Sequence, residues 1–497
     1  MSRVVVVGAG VGGLAVAARL GAAGHRVTVF ERSGTVGGKL GRYERRTHDG
    51  LFRFDTGPNL LTLPQVLSDL FAATGSSVER EVDLVRLDPV VRHFFPDGAT
   101  LDSCSDETEF GRRIAVAFGD RAAVEWHRLW GRAGRVFETS WRHVLRSGVD
   151  SPLSLAKLAW RIGDLAAIAP GRTLRGLGRS YLSDPHLRVM LDRYATYTGS
   201  DPRRAPAALV AVPYAELAFG GWHLNGGLGT LADALLRRCG LLGVKVYPGT
   251  AVTTIESAAG HVTGVRLADG ARHAADVVVA NVDAFALYRD LLPRTRRAAR
   301  LRERSLGGFL VLLGIRGRTP GLAHHNVFFP PHYDAEFDAV FGRPARSAAD
   351  PTVYVSVPDD PAMRPEGHEA WFVLVNAAPH GSSGAAVDWR AGGVAEAYAD
   401  RVLDTLAARG VDVRDRVLFR EVRTPADLAD ATGTPGGAIY GTPRHGIAGL
   451  FRPPNRSPVR GLFLVGGSAH PGGGLPMVAL SAEIVAAQIH QDLNLVG

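Results

Sequence analysis

The chain has 497 residues, 46% hydrophobic, 21% charged and 8% aromatic, proportions that exclude a disordered or fibrous protein and predict several packed domains. Its formal charge of +8 points to anionic surroundings such as lipid head groups or a cofactor's phosphates. Only two cysteines are present, Cys104 and Cys239, which excludes a disulfide framework and a cysteine-based metal site and predicts a reducing, cytoplasmic compartment.

Val4 to Val7 form a β-branched run of the kind a buried parallel strand needs. Gly8-Ala9-Gly10-Val11-Gly12-Gly13 follows at once, then the helical stretch Leu14 to Leu20, and Val27 to Phe30 predicts a second strand that closes on Glu31. Strand, Gly-x-Gly-x-x-Gly, helix, strand and acid in this order make the fingerprint of a dinucleotide site. Gly8 permits the tight turn, Gly10 lets the backbone approach a pyrophosphate, and Gly13 lets helix and strand pack closely. The helix N-terminus offers free N–H groups to the phosphates. Glu31 is expected to accept from an adenosine ribose and to repel a 2′-phosphate, so NADP is not expected here.

Arg32, Gly37-Gly38-Lys39 and Phe54-Asp55-Thr56-Gly57-Pro58 come next. A second Gly turn and a cation just beyond the ribose acid suit a long, extended cofactor, as FAD is. Trp126, Trp130, Phe137, Trp141 and Val144 share one helix face; they are expected to be ordinary core, with a wall for a polyene as the alternative. Leu153, Leu155, Leu158, Ala159, Ile162, Leu165 and Ala166 interleave with Lys157, Trp160 and Arg161, a pattern equally suited to a surface helix or to one lying on anionic lipid. Val244 to Tyr247, Ala251 to Ile255, Gly264 to Leu267 and Ala275 to Asn281 read as strands, with Ser257 to Gly260 and Asp269-Gly270 as hairpin punctuation. The run from Arg294 to Arg304 suits lipid head groups; no nucleic-acid fold surrounds it, and nucleic acid is not an expected partner. Near the end, Gly461 to Val465 predicts a strand that feeds Gly466-Gly467-Ser468-Ala469-His470-Pro471-Gly472-Gly473-Gly474. Pro476-Met477 then leads into a helix from Val478 to His490, a second place for a phosphate or a flavin ring. No apolar stretch reaches the ~18 to 20 residues of a membrane span.

On these segments the chain resembles the FAD-dependent desaturases of the bacterial phytoene desaturase type, a group within the larger flavin amine oxidase fold. Arg193 to Gly199, Asn225-Gly226-Gly227-Leu228-Gly229-Thr230-Leu231 and Phe451-Arg452-Pro453-Pro454-Asn455-Arg456 add to the likeness, which runs essentially from end to end. His470-Pro471-Gly472 with Leu475-Pro476-Met477 looks closer to the branch acting on hydroxylated or partly desaturated carotenoids. The resemblance implies an α/β architecture: a Rossmann-like FAD domain assembled from residues 1–80, 215–290 and 420–497, with a substrate domain of residues 81–214 and 291–419 inserted. The expected FAD-binding set is Gly8, Gly10, Gly12, Gly13, Glu31, Arg32, Gly38, Lys39, Gly57, Pro58, Val252, Gly466, Gly467, Gly473, Pro476 and Met477.

The activity so implied is desaturation of a long isoprenoid polyene by hydride transfer to flavin, with loss of a proton from the adjacent carbon. Asp201, Glu216 and His470 are the candidate bases, and no metal site is expected. A second dinucleotide fingerprint is missing, so oxygen or a membrane quinone is the expected electron acceptor. Because a carotenoid cannot diffuse through water, peripheral attachment to the inner face of the cell membrane is expected. The rival readings are a flavin oxidase of an amine or aromatic natural product, a redox-neutral polyene isomerase, and a prenyl-lipid carrier without cofactor chemistry.

Overall fold

In the computed structural model, residues 1–148, 169, 171–292, 296–446, 449 and 451–494 are described. The valine run becomes the strand Arg3–Val7 at the centre of a five-stranded parallel sheet. On one side it pairs with Arg26–Phe30, which pairs in turn with Lys245–Tyr247. On the other it pairs with Val277–Ala280, followed by Leu462–Leu464 from the far end of the chain. Alternation sends Val4 and Val6 into a core with the helices Val11–Ala22, Thr230–Leu241 and Leu475–Asn494. Val5 and Val7 pack instead on Ile255, Val262, Val265 and Leu267. These belong to a three-stranded antiparallel sheet of Val252–Ala258, His261–Leu267 and Arg272–Ala274. Burial on both faces is why the strand tolerates four consecutive valines. The C-terminal helix starts at Leu475, earlier than the expected Val478.

A second sheet has seven strands in the order Val417–Arg423, Gly307–Arg316, His368–Ala377, Val353–Ser356, His325–Phe328, Val91–Phe94 and Thr100–Ser103. On one face Phe309, Val311, Leu313, Val373 and Val375 pack against Tyr398, Val402 and Leu406 of the helix Val394–Ala408. The other face presents Gly308, Leu310, Tyr354, Phe372 and Leu374 to a large cavity. The strand Val417–Arg423 crosses the expected domain boundary at 420 and pairs with Gly307–Arg316. We therefore propose that the cofactor-side segment resumes only after that strand.

Trp126 and Trp130 are core residues packed with Phe110, Leu129 and Leu187, while Phe137 and Val144 reach the cavity. The stripe from Leu153 to Ala166 and Arg294 lie outside the described residues. Arg304, at the end of the basic run, is not a lipid-facing cation: its guanidinium is buried on Asp283 at 2.9 Å. Arg175 likewise pairs with both Asp192 and Asp334. Among the described residues, no helix is long and apolar enough to cross a membrane.

Candidate active site

Between the two sheets lies a cavity of about 1280 Å³, larger than the ~300–1,000 Å³ of an ordinary small-molecule site. One end is the turn after Arg3–Val7. Gly8 takes φ of +99°, open to glycine at little cost. A Cβ on Gly13 would stand 2.1 Å from the Gly8 carbonyl oxygen, so the helix can begin against its own strand only without a side chain. Gly8, Gly10 and Gly12 line the cavity, whereas Gly13 supports the turn from behind. Glu31, at the end of the second strand, accepts from Ala9 N–H at 2.7 Å and from Ser33 N–H at 2.8 Å. Each oxygen thereby keeps lone-pair capacity for a ribose hydroxyl.

Asn281 is the residue that motif reading missed. It follows the strand Val277–Ala280, and its Nδ2 donates to Val465 O at 3.0 Å. Its side chain fills the space that Cβ atoms on Gly10, Gly12 and Gly466 would need, at 2.7, 2.9 and 2.6 Å. One amide thus locks the N-terminal and C-terminal glycine turns together. No local pattern marks it, because its role exists only once Val277–Ala280 lies beside Arg3–Val7.

Arg32 and Lys39 line the cavity but are already engaged. Arg32 donates to Asp430 O, and Lys39 Nζ donates to Ala438 O at 3.0 Å and Ile439 O at 2.6 Å. Burial pulls the Lys39 ammonium down to about 8, opposed by Asp283 and reinforced by Arg304 and Arg452. Gly38, Gly57, Pro58 and Val252 border the same space, as do Gly466, Gly467, Gly473, Pro476 and Met477. Asp55, just before Gly57, accepts from Leu228 N–H at 2.7 Å and Gly229 N–H at 2.8 Å. The Asn225 to Leu231 motif is therefore a backbone cradle for a buried carboxylate. Arg452 holds the Tyr440 and Thr442 carbonyls, and Asn455 ties Leu464 O, His470 O and Ser481 Oγ, so that motif braces the C-terminal loop.

Of the three candidate bases only Glu216 reaches the cavity. It is 1% exposed; Tyr194 Oη donates to its Oε1 at 2.8 Å, while Oε2 has no hydrogen-bond partner. Burial raises its carboxyl above the usual range, against the pull of Arg193, Tyr194 and Tyr197. Asp201 is corrected to a structural acid: it is clamped by Arg203 at 2.8 Å and lies away from the cavity wall. His470 is likewise a brace, with Nε2 2.9 Å from Val144 O and 3.0 Å from Ser147 O. Loop position alone could not show that its ring is engaged by backbone carbonyls. Arg193, Tyr197 and Tyr354 stand in the wall near Glu216; the first two lie in a stretch that carries the resemblance without marking a site role.

A protein-family model described as an NAD(P)-binding Rossmann-like domain matches residues 6–74. A hydroxyneurosporene desaturase of Cereibacter sphaeroides is 34% identical, over 99% of this chain and 98% of that protein. A 4,4′-diapolycopene oxygenase of Methylomonas is 33% identical over 99% of each. The chain belongs to the carotenoid desaturase and oxygenase family. A 1-hydroxycarotenoid 3,4-desaturase of Flavobacterium is 31% identical over 98% of each. Among solved structures, a putrescine oxidase redesigned in its cofactor site superposes with a TM-score of 0.63 at 14% identity, over 99% of both chains. An oxidoreductase from Methanosarcina mazei gives 0.63 at 19% identity, over 98% of this chain and 100% of that one. The expected α/β architecture with a Rossmann-like nucleotide-binding domain is thereby established for this member, in a fold like that of putrescine oxidase.

Proposed function

We propose that the protein is an FAD-dependent desaturase of a carotenoid or related long polyene. The observation that carries this reading is the continuity of one cavity, from the glycine turn and Glu31 at one end to an apolar wall of Phe137, Leu209, Val212, Leu310, Phe372 and Leu374 at the other. Its volume suits a dinucleotide and a hydrophobic substrate side by side. The residues fit FAD: Gly10 and Gly12 leave the helix N-terminus bare for a pyrophosphate, Glu31 would accept from the ribose, and the Gly466–Gly474 loop and Met477, beside that turn, would hold the remainder. The bound flavin supplies the two-electron oxidant.

The apolar wall excludes water and holds the polyene extended. Glu216, which the Tyr194 and Tyr197 hydroxyls face, takes the proton from the carbon next to the one that loses hydride; burial raises its carboxyl above that of a surface acid, which suits a group that must take up and release a proton. A C40-class hydrocarbon forfeits ~0.8 kcal/mol per exposed CH2, so the enzyme collects it from a bilayer. The net charge of +8 supports peripheral contact with anionic lipid, at the cytoplasmic face, with quinone or oxygen reoxidising the flavin.

A second reading is oxygenation, supported by relatives named 4,4′-diapolycopene oxygenase and 4,4′-diaponeurosporene oxygenase at 33% and 30% identity. Incubation of the holoenzyme with carotenoids in liposomes, followed by chromatography and mass analysis, tests both. Loss of two hydrogens per step supports desaturation, gain of oxygen supports the second reading, and unchanged polyene refutes both.

A further inference from the structure

The apolar floor of the cavity ends in a polar strip that substrate packing does not explain. Tyr354, in the wall, sits on the strand Val353–Ser356, with its hydroxyl 2.8 Å from His325 Nδ1. The His325 ring lies 4.4 Å from that of His324, and His324 lies 4.7 Å from His223. His223 is held by Asp360 at 3.0 Å. His325 is fully buried, whereas His324 is half-buried. On each of these two histidines Nε2 is buried without a hydrogen-bond partner, which leaves that nitrogen open to a neighbour that turns toward it.

At the inner end the strip meets Glu216. Tyr197 faces that carboxylate, and the Arg193 guanidinium lies over the rings of Tyr197 and Tyr354, at 5.1 and 5.9 Å. The two phenols are therefore gathered around one fixed cation beside the proposed base. Burial, with His223 acting in the same direction, brings His324 down to about 3 and holds His325 far below the usual imidazole range. Arg193, Asp359 and Asp360 are the charged groups that face the pair. Both rings are thus neutral, each able to accept on one nitrogen and donate from the other.

We propose that Tyr354, His325 and His324 form a proton path between Glu216 and solvent. This rests on the desaturase reading. One C–H bond of the polyene gives its hydride to the flavin, and the neighbouring C–H gives its proton to Glu216, leaving its electron pair as the new double bond. The proton passes by way of the Tyr197 and Tyr354 hydroxyls to His325, and the His325 and His324 rings, 4.4 Å apart, turn toward each other to hand it on to water. Each relay group gains one proton and loses one, so the strip returns to its starting state after the hydroxyls and rings turn.

The test uses flavin-loaded enzyme with carotenoid liposomes and compares wild type with Tyr354→Phe, His325→Ala and His325→Phe. Turnover is expected to fall about tenfold or more in each variant, with KM unchanged. Imidazole in the buffer restores His325→Ala but not His325→Phe, and the solvent deuterium effect on turnover grows in Tyr354→Phe. Tyr354→Phe removes one hydroxyl and keeps the ring, so it carries the test if the histidine variants do not fold. Wild-type turnover in Tyr354→Phe, a fall unaffected by imidazole and deuterium, or a rise in KM alone each overturns the proposal. A wild-type enzyme that releases no desaturated product refutes the desaturase reading itself, separately from the path.

Discussion

The coupling of Gly10 to Asn281 yields a sharp test of how the two ends of the chain build one site. Gly10 has φ of −69° and ψ of 172°, a conformation open to any residue, so Gly10→Ala adds no backbone strain. The new methyl would stand 2.7 Å from Asn281 Oδ1 and otherwise only 3.9 Å from Gly37 O. The clash is thus with one side chain, and overpacking of this kind costs ~1–3 kcal/mol. Asn281→Ala alone loses the bond to Val465 O at 3.0 Å, about 1 kcal/mol. Together, the second change removes the atom that the first one strikes, so the double variant should be more stable than the sum of the singles by ~1 kcal/mol or more. Flavin affinity should not recover with it, because the methyl still stands where the backbone must approach a pyrophosphate. Urea unfolding of the apoprotein measures the first quantity and flavin titration the second. Additive stabilities would refute the keystone role of Asn281, and restored affinity would refute the placement of Gly10 against the phosphates. Gly13→Ala is the control: its Cβ meets a backbone oxygen at 2.1 Å, which no trimming of Asn281 can relieve.

Glu31→Gln turns an amide N–H toward either Ala9 N–H or Ser33 N–H, and should cost ~1–3 kcal/mol of apoprotein stability and weaken flavin binding, both read by titration and urea midpoints. Lys39 has a folded value of about 8, below its ordinary 10.5. The unfolded chain therefore binds more protons between those pH values, and stability rises with pH across that window, by on the order of 3 kcal/mol at most. Lys39→Met should flatten that rise, and a wild-type unfolding midpoint that falls from pH 8 to 10 would contradict it. Glu216→Gln should lower desaturation by ~100-fold or more with flavin content retained, whereas Asp201→Asn should leave turnover close to wild type and lower the unfolding midpoint through Arg203. Equal losses of turnover in the two variants would return the choice of base to the start.

What was legible from sequence divides along a physical line. The strand Arg3–Val7, the glycine turn and Glu31 could be read because each residue answers to its covalent neighbours: a tight turn, a close helix, an acid at a strand end. The strand Leu462–Leu464 and the glycine loop after it were legible for the same reason. Asn281 was not, since an asparagine after four apolar residues carries no signal until the sheet order places it between the two glycine turns. The same limit left three candidate bases standing. Glu216, Asp201 and His470 are all buried polar residues near shared motifs, and sequence proximity cannot distinguish a side chain that enters a cavity from one that binds a backbone carbonyl. His470 has its ring nitrogen within hydrogen-bonding distance of the carbonyls of Val144 and Ser147, more than 300 positions away in the chain. Tyr354 and His325 were invisible for a further reason: they sit on separate strands of a sheet whose order runs far from chain order. Side chains that meet only across strands leave no local signal, so the family motifs mark the glycine turns well and the proposed proton-handling groups poorly.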